Sequence, residues 1–208
     1  MPLGDYRLFI FDWDGTLSTS TLLVRISRLF KRRYNVKYIR RHAGDYRKAG
    51  ARKVHVREEV NRAYARLYDL YFHFARPRLQ PGAIEVLTEL KRRKKTIAIF
   101  SDSNNYRLMK EIKELGVAEY VDFVLSADTI KRFKPNPQGL LVLVQRYGIK
   151  KGRTIYIGDM ASDILTARFA GIKIACVGNG VDPYSLLKEV GPDYLYRNLV
   201  QLRHALSD

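Results

Sequence analysis

Two aspartates, Asp12 and Asp14, stand one residue apart directly after the apolar stretch LFIF at residues 8–11. That stretch is short, apolar and rich in residues that favour strands, so it predicts a buried β-strand. Two neighbouring carboxylates repel each other, and burial of either one is costly unless a cation or hydrogen-bond donors compensate its charge. The pair therefore predicts a site to which other parts of the chain bring that compensation.

Polar residues also follow three later strand-like stretches. Ser101 follows TIAIF, Lys134 lies in the loop after VDFVLSA, Asp159 follows TIYIG, and Asp163 stands one turn into the next helix. In an open parallel sheet, ligands bind at the carboxyl ends of the strands. The candidate ligands are oxygen donors, and the set contains no histidine or cysteine. Such a set suits Mg²⁺, which often also binds a substrate phosphate. The set predicts a magnesium and phosphate site.

The turn after the first strand fits such a site. Mg²⁺ and Lys134 would offset the charges of Asp12 and Asp14, Gly15 permits a close backbone approach, and Thr16 can hydrogen-bond within the turn. A carboxylate beside a metal-bound phosphate can act as a nucleophile and form an aspartyl-phosphate. Its neighbour would protonate the leaving oxygen and then accept a proton from the hydrolytic water.

The elements that must position these residues alternate along the chain. From Ala83 onward, helical stretches separate the strand candidates, and this order predicts right-handed crossovers and a parallel sheet covered on both faces. The near-continuous apolar strands agree with it. The predicted fold class is α/β, with a Rossmann-like core. The strand candidates after the first are TIAIFS, VDFVLSA, TIYIGD, KIACVG and DYLYRN.

A helical insertion interrupts this core after its first strand. Apolar and aromatic residues recur at helical spacing in residues 20–79, and no stretch there reads as a β-strand. We therefore expect a core domain made of residues 1–19 and 80–208 and a helical domain made of residues 20–79, here named the basic segment.

Most of the net positive charge lies in the basic segment. The net charge of the chain is +17, and residues 22–80 hold 17 Lys and Arg against four acidic residues, a net charge of +13. Three hypotheses account for this: a solvated charged surface, attraction of anionic substrates, with Arg47 as a candidate contact, or weak nucleic-acid binding through phosphates.

Composition limits the other function classes. No apolar run approaches the roughly 20 residues that span a bilayer, and the N-terminus lacks the apolar stretch of a signal peptide. The single cysteine, Cys176, excludes an internal disulfide and fits a reducing compartment, so we expect a cytoplasmic protein and a buried strand thiol. Monomer and homodimer both stay open.

Four short motifs resemble those of the haloacid dehalogenase superfamily, in the same order along the chain. They are DWDGTL, IAIFSD, KPNP and GDMASD. The resemblance is closest to phosphatases of the phosphoglycolate phosphatase type, which carry a helical cap of the first class between the first and second motifs. The basic segment lies at that place.

The resemblance implies a role for each motif. It implies Asp12 as nucleophile, Asp14 as general acid and base, and Lys134 as the lysine that neutralises charge. It implies Ser101 as a phosphate ligand, with the neighbouring Asp102 in the same motif. The implied metal ligands are Asp12, Asp14 through its backbone carbonyl, Asp159 and Asp163.

One residue departs from the usual family pattern, and another argues against one branch of the family. Relatives usually carry Asn after the second-motif Ser, and a carboxylate at Asp102 would hinder phosphate binding unless it turns away or binds a cation. The dehalogenase branch lacks the second aspartate, so Asp14 argues against dehalogenation.

The sequence thus predicts a Mg²⁺-dependent phosphomonoester hydrolase that forms an aspartyl-phosphate. Its expected substrate is a small phosphorylated metabolite such as phosphoglycolate, a sugar phosphate, a nucleotide or pyrophosphate. The alternatives are a phosphotransferase or phosphomutase on the same scaffold, and a nucleic-acid-binding protein that uses the basic segment.

Overall fold

A computed structural model describes residues 1–19, 77–130 and 132–207 of the chain. Nearly all of the basic segment, including Arg47, lies outside the described residues. The predicted division into a core domain and a helical domain therefore stays a prediction.

The described residues form one parallel sheet of six strands in the order β3-β2-β1-β4-β5-β6. The first strand lies inside the sheet, between β2 and β4. The predicted α/β fold class with a Rossmann-like parallel sheet is confirmed. The strands are β1 (Leu8–Phe11), β2 (Thr96–Ser101), β3 (Phe123–Ser126), β4 (Thr154–Gly158), β5 (Lys173–Val177) and β6 (Tyr194–Tyr196).

Helices connect the strands and cover both faces of the sheet. Two of them, α3 and α7, have no counterpart in the sequence prediction. No helix of the described residues has the length and apolar character needed to cross a membrane. The helices are α1 (Ala83–Arg92), α2 (Asn105–Glu114), α3 (Ala127–Ile130), α4 (Gln138–Tyr147), α5 (Ala161–Ala170), α6 (Tyr184–Val190) and α7 (Leu199–Ser207).

Side chains of each strand alternate between two hydrophobic clusters. Phe9 and Phe11 of β1 pack with α1, α2 and α7, whereas Leu8 and Ile10 pack with α4, α5 and α6. Full burial of each such side chain contributes about 1.5–3 kcal/mol. Cys176 lies in the second cluster, where burial raises the pKa of its thiol, so the predicted buried strand thiol is confirmed.

Hydrogen bonds join the two segments that lie on either side of residues 20–76. The backbone N–H of Thr19 donates to the carbonyl of Arg78 at 2.6 Å, and that of Gln80 donates to the carbonyl of Leu17 at 2.8 Å. The described segments on either side of residues 20–76 therefore lie side by side, close after β1 and the aspartate pair.

Candidate active site

Asp12 and Lys134 form a buried ion pair at the carboxyl end of β1. The backbone N–H of Asp12 donates to the carbonyl of Ile157 at 2.8 Å, which continues the pairing of β1 with β4. The Nζ of Lys134 donates to Oδ1 of Asp12 at 2.6 Å and lies 3.0 Å from Oδ1 of Asp163. The loop after β3 thus delivers its lysine to the end of a strand two positions away in the sheet.

The surroundings of Lys134 favour its charged form. Burial lowers the pKa of this ammonium group, but the carboxylates of Asp12 and Asp163 raise it, and the net shift is upward. The Nζ also lies 5.3 Å and 5.4 Å from the ring centroids of Phe100 and Tyr156. A cation so placed gains from both the carboxylates and the aromatic faces.

Asp159 lies directly after β4 and is completely buried. The hydroxyl of Thr16 donates to its Oδ1 at 2.9 Å, and the backbone N–H of Val181 donates to its Oδ2 at 2.7 Å. Donors from two different loops fix the orientation of this carboxylate. The backbone N–H of Thr16 donates to the carbonyl of Trp13 within the turn at 3.3 Å, and the Thr16 side chain joins the turn after β1 to the end of β4.

Asp163 belongs to the first turn of α5 and closes the loop that precedes this helix. Its Oδ2 accepts from the backbone N–H groups of Asp159 and Met160 at 3.1 Å and 2.9 Å, and its Oδ1 accepts from the hydroxyl of Tyr156 at 3.0 Å. A carboxylate at a helix N-terminus satisfies backbone donors that lack partners within the helix. Asp163 therefore fixes the position of Asp159 as well as contacting Lys134.

Three buried carboxylates lie close enough together to hold one metal ion. Asp12, Asp159 and Asp163 each offer an oxygen, and these oxygens lie within 4.8 Å of one another. The ammonium of Lys134 balances one of the three negative charges. Buried charge of one sign is costly without compensation, and hard divalent cations prefer oxygen ligands. The donor set and its remaining charge fit a divalent cation such as Mg²⁺.

Glycine is required where the turn after β1 approaches Asp159. The backbone of Gly15 has a φ of +89°, and a Cβ atom at this position would lie 2.3 Å from Oδ2 of Asp159. A Cβ at Gly180 would lie 2.3 Å from the same oxygen. Both glycines therefore let the backbone approach the Asp159 carboxylate closely.

Ser101 and Asp102 lie at the end of β2, next to the loop of Lys134. The buried hydroxyl of Ser101 accepts from the backbone N–H of Ser103 at 3.1 Å and donates to the hydroxyl of Ser103 at 3.0 Å. The Oδ1 of Asp102 accepts from the backbone N–H of Lys134 at 3.1 Å. This bond links the loops after β2 and β3. The predicted phosphate contacts of Ser101 and Asp102 stay predictions.

Asp14 contacts a group of residues that the sequence prediction missed. Its Oδ1 accepts from Nη2 of Arg107, and its Oδ2 accepts from the hydroxyl of Ser103 at 2.7 Å. A signal was present, because Arg107 and Glu111 stand four residues apart among the apolar residues Leu108 and Ile112 of α2. Charged residues at such positions indicate a buried ion pair on the core side of a helix.

The structure thus divides the predicted site residues into two adjacent groups. The first group comprises Asp12, Asp159, Asp163 and Lys134. Its three carboxylates lie close enough together to hold one metal ion, and Lys134 contacts Asp12 and Asp163 directly. Asp14 contacts Ser103 and Arg107 instead, and backbone connects it to Asp12 through Trp13.

Comparison with known proteins identifies relatives along most of the chain. The family model described as haloacid dehalogenase-like hydrolase matches residues 9–177. Pyrophosphatase PpaX of Halalkalibacterium halodurans is 29% identical over 204 residues, which cover 93% of each chain. The phosphoglycolate phosphatase of Nitrosococcus oceani is 30% identical over 132 residues, which cover 64% of this chain and 59% of that protein.

Solved structures share the fold. A conserved haloacid dehalogenase-like protein from Agrobacterium tumefaciens has a TM-score of 0.70 at 18% identity, with 97% of this chain and 98% of that chain covered. CbbY from Rhodobacter sphaeroides, solved in complex with phosphate, has a TM-score of 0.66 at 16% identity, with 98% and 100% covered. At these identities the likeness concerns the fold.

Proposed function

The chain belongs to the haloacid dehalogenase-like hydrolase family, and we propose that it is a Mg²⁺-dependent phosphomonoester hydrolase that acts through Asp12. One observation carries this proposal: Asp12 lies at the carboxyl end of a central strand, 2.6 Å from a buried ammonium and within a cluster of three carboxylates. A divalent cation held by these carboxylates, together with the ammonium, would attract a phosphate dianion while Asp12 presents its carboxylate as nucleophile.

The metal ion would be held by the carboxylates of Asp12 and Asp159, with Asp163 as a further ligand or as the group that orients Asp159. The backbone carbonyl of Asp14 is a fourth candidate ligand. When bound, Mg²⁺ neutralises charge on the phosphoryl oxygens in a loose transition state.

The protein side chains divide the reaction into two steps. In the first, a carboxylate oxygen of Asp12 forms a bond to phosphorus while the bond from phosphorus to the leaving oxygen breaks, and Asp14 gives that oxygen a proton. In the second, Asp14 takes a proton from water as the water oxygen bonds to phosphorus and the bond to Asp12 breaks. Lys134 holds Asp12 in place, and the hydroxyl of Ser101 would donate to a phosphoryl oxygen.

The substrate we propose is a small anionic phosphate compound, with pyrophosphate and phosphoglycolate as the first candidates. Relatives bearing the names pyrophosphatase and phosphoglycolate phosphatase support this choice. The net charge of +17 supports it as well, since a positive field attracts anionic ligands. A phosphomutase would pass the phosphoryl group to a sugar hydroxyl, so release of free phosphate separates the two activities.

The test is phosphate release from a panel of phosphate monoesters and pyrophosphate, with and without Mg²⁺. We expect metal-dependent release by the wild type and none above background from Asp12→Asn. The matched control is Asp5→Asn, which makes the same change at an exposed residue in the turn that precedes β1. Release that survives in Asp12→Asn, or that needs no metal, would refute the proposal.

A further inference from the structure

Arg107 holds the carboxylate of Asp14 through a buried network. Its Nη2 donates to Oδ1 of Asp14, and its Nη1 donates to the hydroxyl of Ser103 at 3.0 Å. That hydroxyl in turn donates to Oδ2 of Asp14 at 2.7 Å. Each oxygen of the carboxylate therefore accepts from a partner that itself belongs to α2 or to the loop before it, and the side chain has a defined orientation.

Glu111 holds Arg107 from the other side. The Nε of Arg107 donates to Oε1 of Glu111 at 2.6 Å, and Nη2 lies 3.3 Å from Oε2. The same Oε2 accepts from the indole N–H of Trp13 at 2.6 Å. Because Trp13 lies between Asp12 and Asp14 in the chain, the contacts close a ring from the turn after β1 to α2 and back to the turn.

The ring is almost completely shielded from solvent. Arg107 is 7% exposed, Glu111 is 4% exposed and Trp13 is fully buried. The planar guanidinium serves three acceptors from three different nitrogens, an arrangement that the single ammonium of lysine cannot reproduce. Desolvation of two carboxylates and a guanidinium is costly, and a nonpolar pair of the same size would fill the space at lower cost. The burial of these charged groups therefore suggests that they have a role beyond stabilising the fold.

We propose that Arg107 is a positioning residue that fixes Asp14 for proton transfer to the leaving oxygen; this rests on the proposed function. Oδ1 accepts from the charged guanidinium of Arg107, so Oδ2, which accepts from the neutral hydroxyl of Ser103, is the oxygen that carries and releases the proton. The Oδ2–H bond breaks as the leaving oxygen gains the proton and separates from phosphorus, and Arg107 itself exchanges no proton. Glu111 keeps the guanidinium aimed at Oδ1.

The leaving group distinguishes this role from a purely structural one. Departure of an alkoxide needs a proton, whereas the acidic phenol of p-nitrophenyl phosphate leaves without one. Correctly placed general acids contribute about 10²–10⁴-fold to the rate of steps that need them. A misplaced Asp14 should therefore slow the departure of the leaving group selectively for alkyl phosphates.

The experiment measures kcat and KM of Arg107→Gln and Glu111→Gln on an alkyl phosphate and on p-nitrophenyl phosphate. For Arg107→Gln we expect kcat/KM, which reports the steps up to departure of the leaving group, to fall about 100-fold or more on the alkyl ester and less than about tenfold on the aryl ester. Hydrolysis of the aspartyl-phosphate, in which Asp14 also acts, is common to both esters and lowers kcat on both. Glu111→Gln should show the same selectivity with a smaller loss. Lys110→Gln is the matched control, since Lys110 and Glu114 form the equivalent pair on the exposed face of α2, at 3.8 Å.

Equal losses of kcat/KM on the two esters, or no loss, would overturn the role of Arg107. If Arg107→Gln fails to fold, Arg107→Lys decides: it keeps a buried cation but reaches fewer acceptors, so the selective loss should persist. Asp12→Asn, measured beside these variants, separates the two claims. Turnover by Asp12→Asn would refute the proposed function itself, whereas an inactive Asp12→Asn with unselective Arg107 variants would refute only the positioning role.

Discussion

Lys134 allows several carboxylates to lie together at the end of β1. Its Nζ lies 2.6 Å from Asp12 and 3.0 Å from Asp163, and all three side chains are buried. Attraction between opposite charges at this separation is far stronger in a protein interior than in water. The residue that would assist catalysis is therefore also one that holds the site together.

Replacement of Lys134 by Met should destabilise the protein by about 3–5 kcal/mol, because it leaves buried carboxylates without their cation. Lys173→Met is the matched control, since Lys173 pairs with Asp193 at the surface and such pairs contribute about 0–1 kcal/mol. Urea unfolding of both variants in metal-free buffer measures the difference. Similar small losses in the two variants would show that the Lys134 charge is not needed by the fold.

At the scale of the elements, the turn after β1 brings two strand ends into contact. Gly15 lets the backbone approach Asp159, and Thr16 donates to the same carboxylate at 2.9 Å. Neighbouring strands end in this region because β1 pairs with β4 in parallel register. Because β1 and β4 are paired and the turn contacts Asp159, the carboxylates that follow these two strands keep fixed positions relative to each other.

The variant Gly15→Ala should lose most of its activity, because the new Cβ would lie 2.3 Å from Oδ2 of Asp159. Gly116→Ala is the control, since Gly116 also has a positive φ, of +67°, but has no atom within 4 Å of the added Cβ. Both variants carry a strain cost of about 1–2 kcal/mol from the left-handed backbone. Phosphate release assays that find equal activity in the two variants would contradict the account of this turn.

Sequence patterns predict β1 to β6 because each is a short apolar run beside a turn or helix signal. They also predict the strand-end residues Asp12, Lys134 and Asp159, since parallel strands end at one edge. The ring through Arg107 was missed because charged helical residues are expected to face solvent, although Arg107 and Glu111 stand beside the apolar residues Leu108 and Ile112 on the buried side of α2. Helix α7 was missed as well; its nine residues owe their helical form to packing against α1.

At the scale of the whole molecule, metal binding should be linked to folding. Asp12 follows β1, whereas Asp159 and Asp163 lie near each other after β4, far along the chain from Asp12, so the site exists only in the folded state. A ligand that binds only the folded state stabilises it by mass action. Trp13 is the single tryptophan of the chain and is fully buried, so its fluorescence reports unfolding.

We expect Mg²⁺ at 100 times its dissociation constant to raise the free energy of unfolding by about 2.7 kcal/mol. The increment should disappear in Asp159→Asn and persist in Asp5→Asn. Urea unfolding followed by Trp13 fluorescence, with and without Mg²⁺, gives the values. An increment of the same size in Asp159→Asn would mean that the ion binds elsewhere.

The stereochemical course at phosphorus tests the central claim, which is that the phosphoryl group passes through Asp12. The substrate is a phosphate ester made chiral with the three stable oxygen isotopes, and the phosphoryl group is captured on an added alcohol acceptor in place of water. Each in-line displacement inverts phosphorus. Transfer to Asp12 and then to the acceptor consists of two displacements, so the account predicts retention of configuration. Inversion would show a single direct displacement and would contradict it.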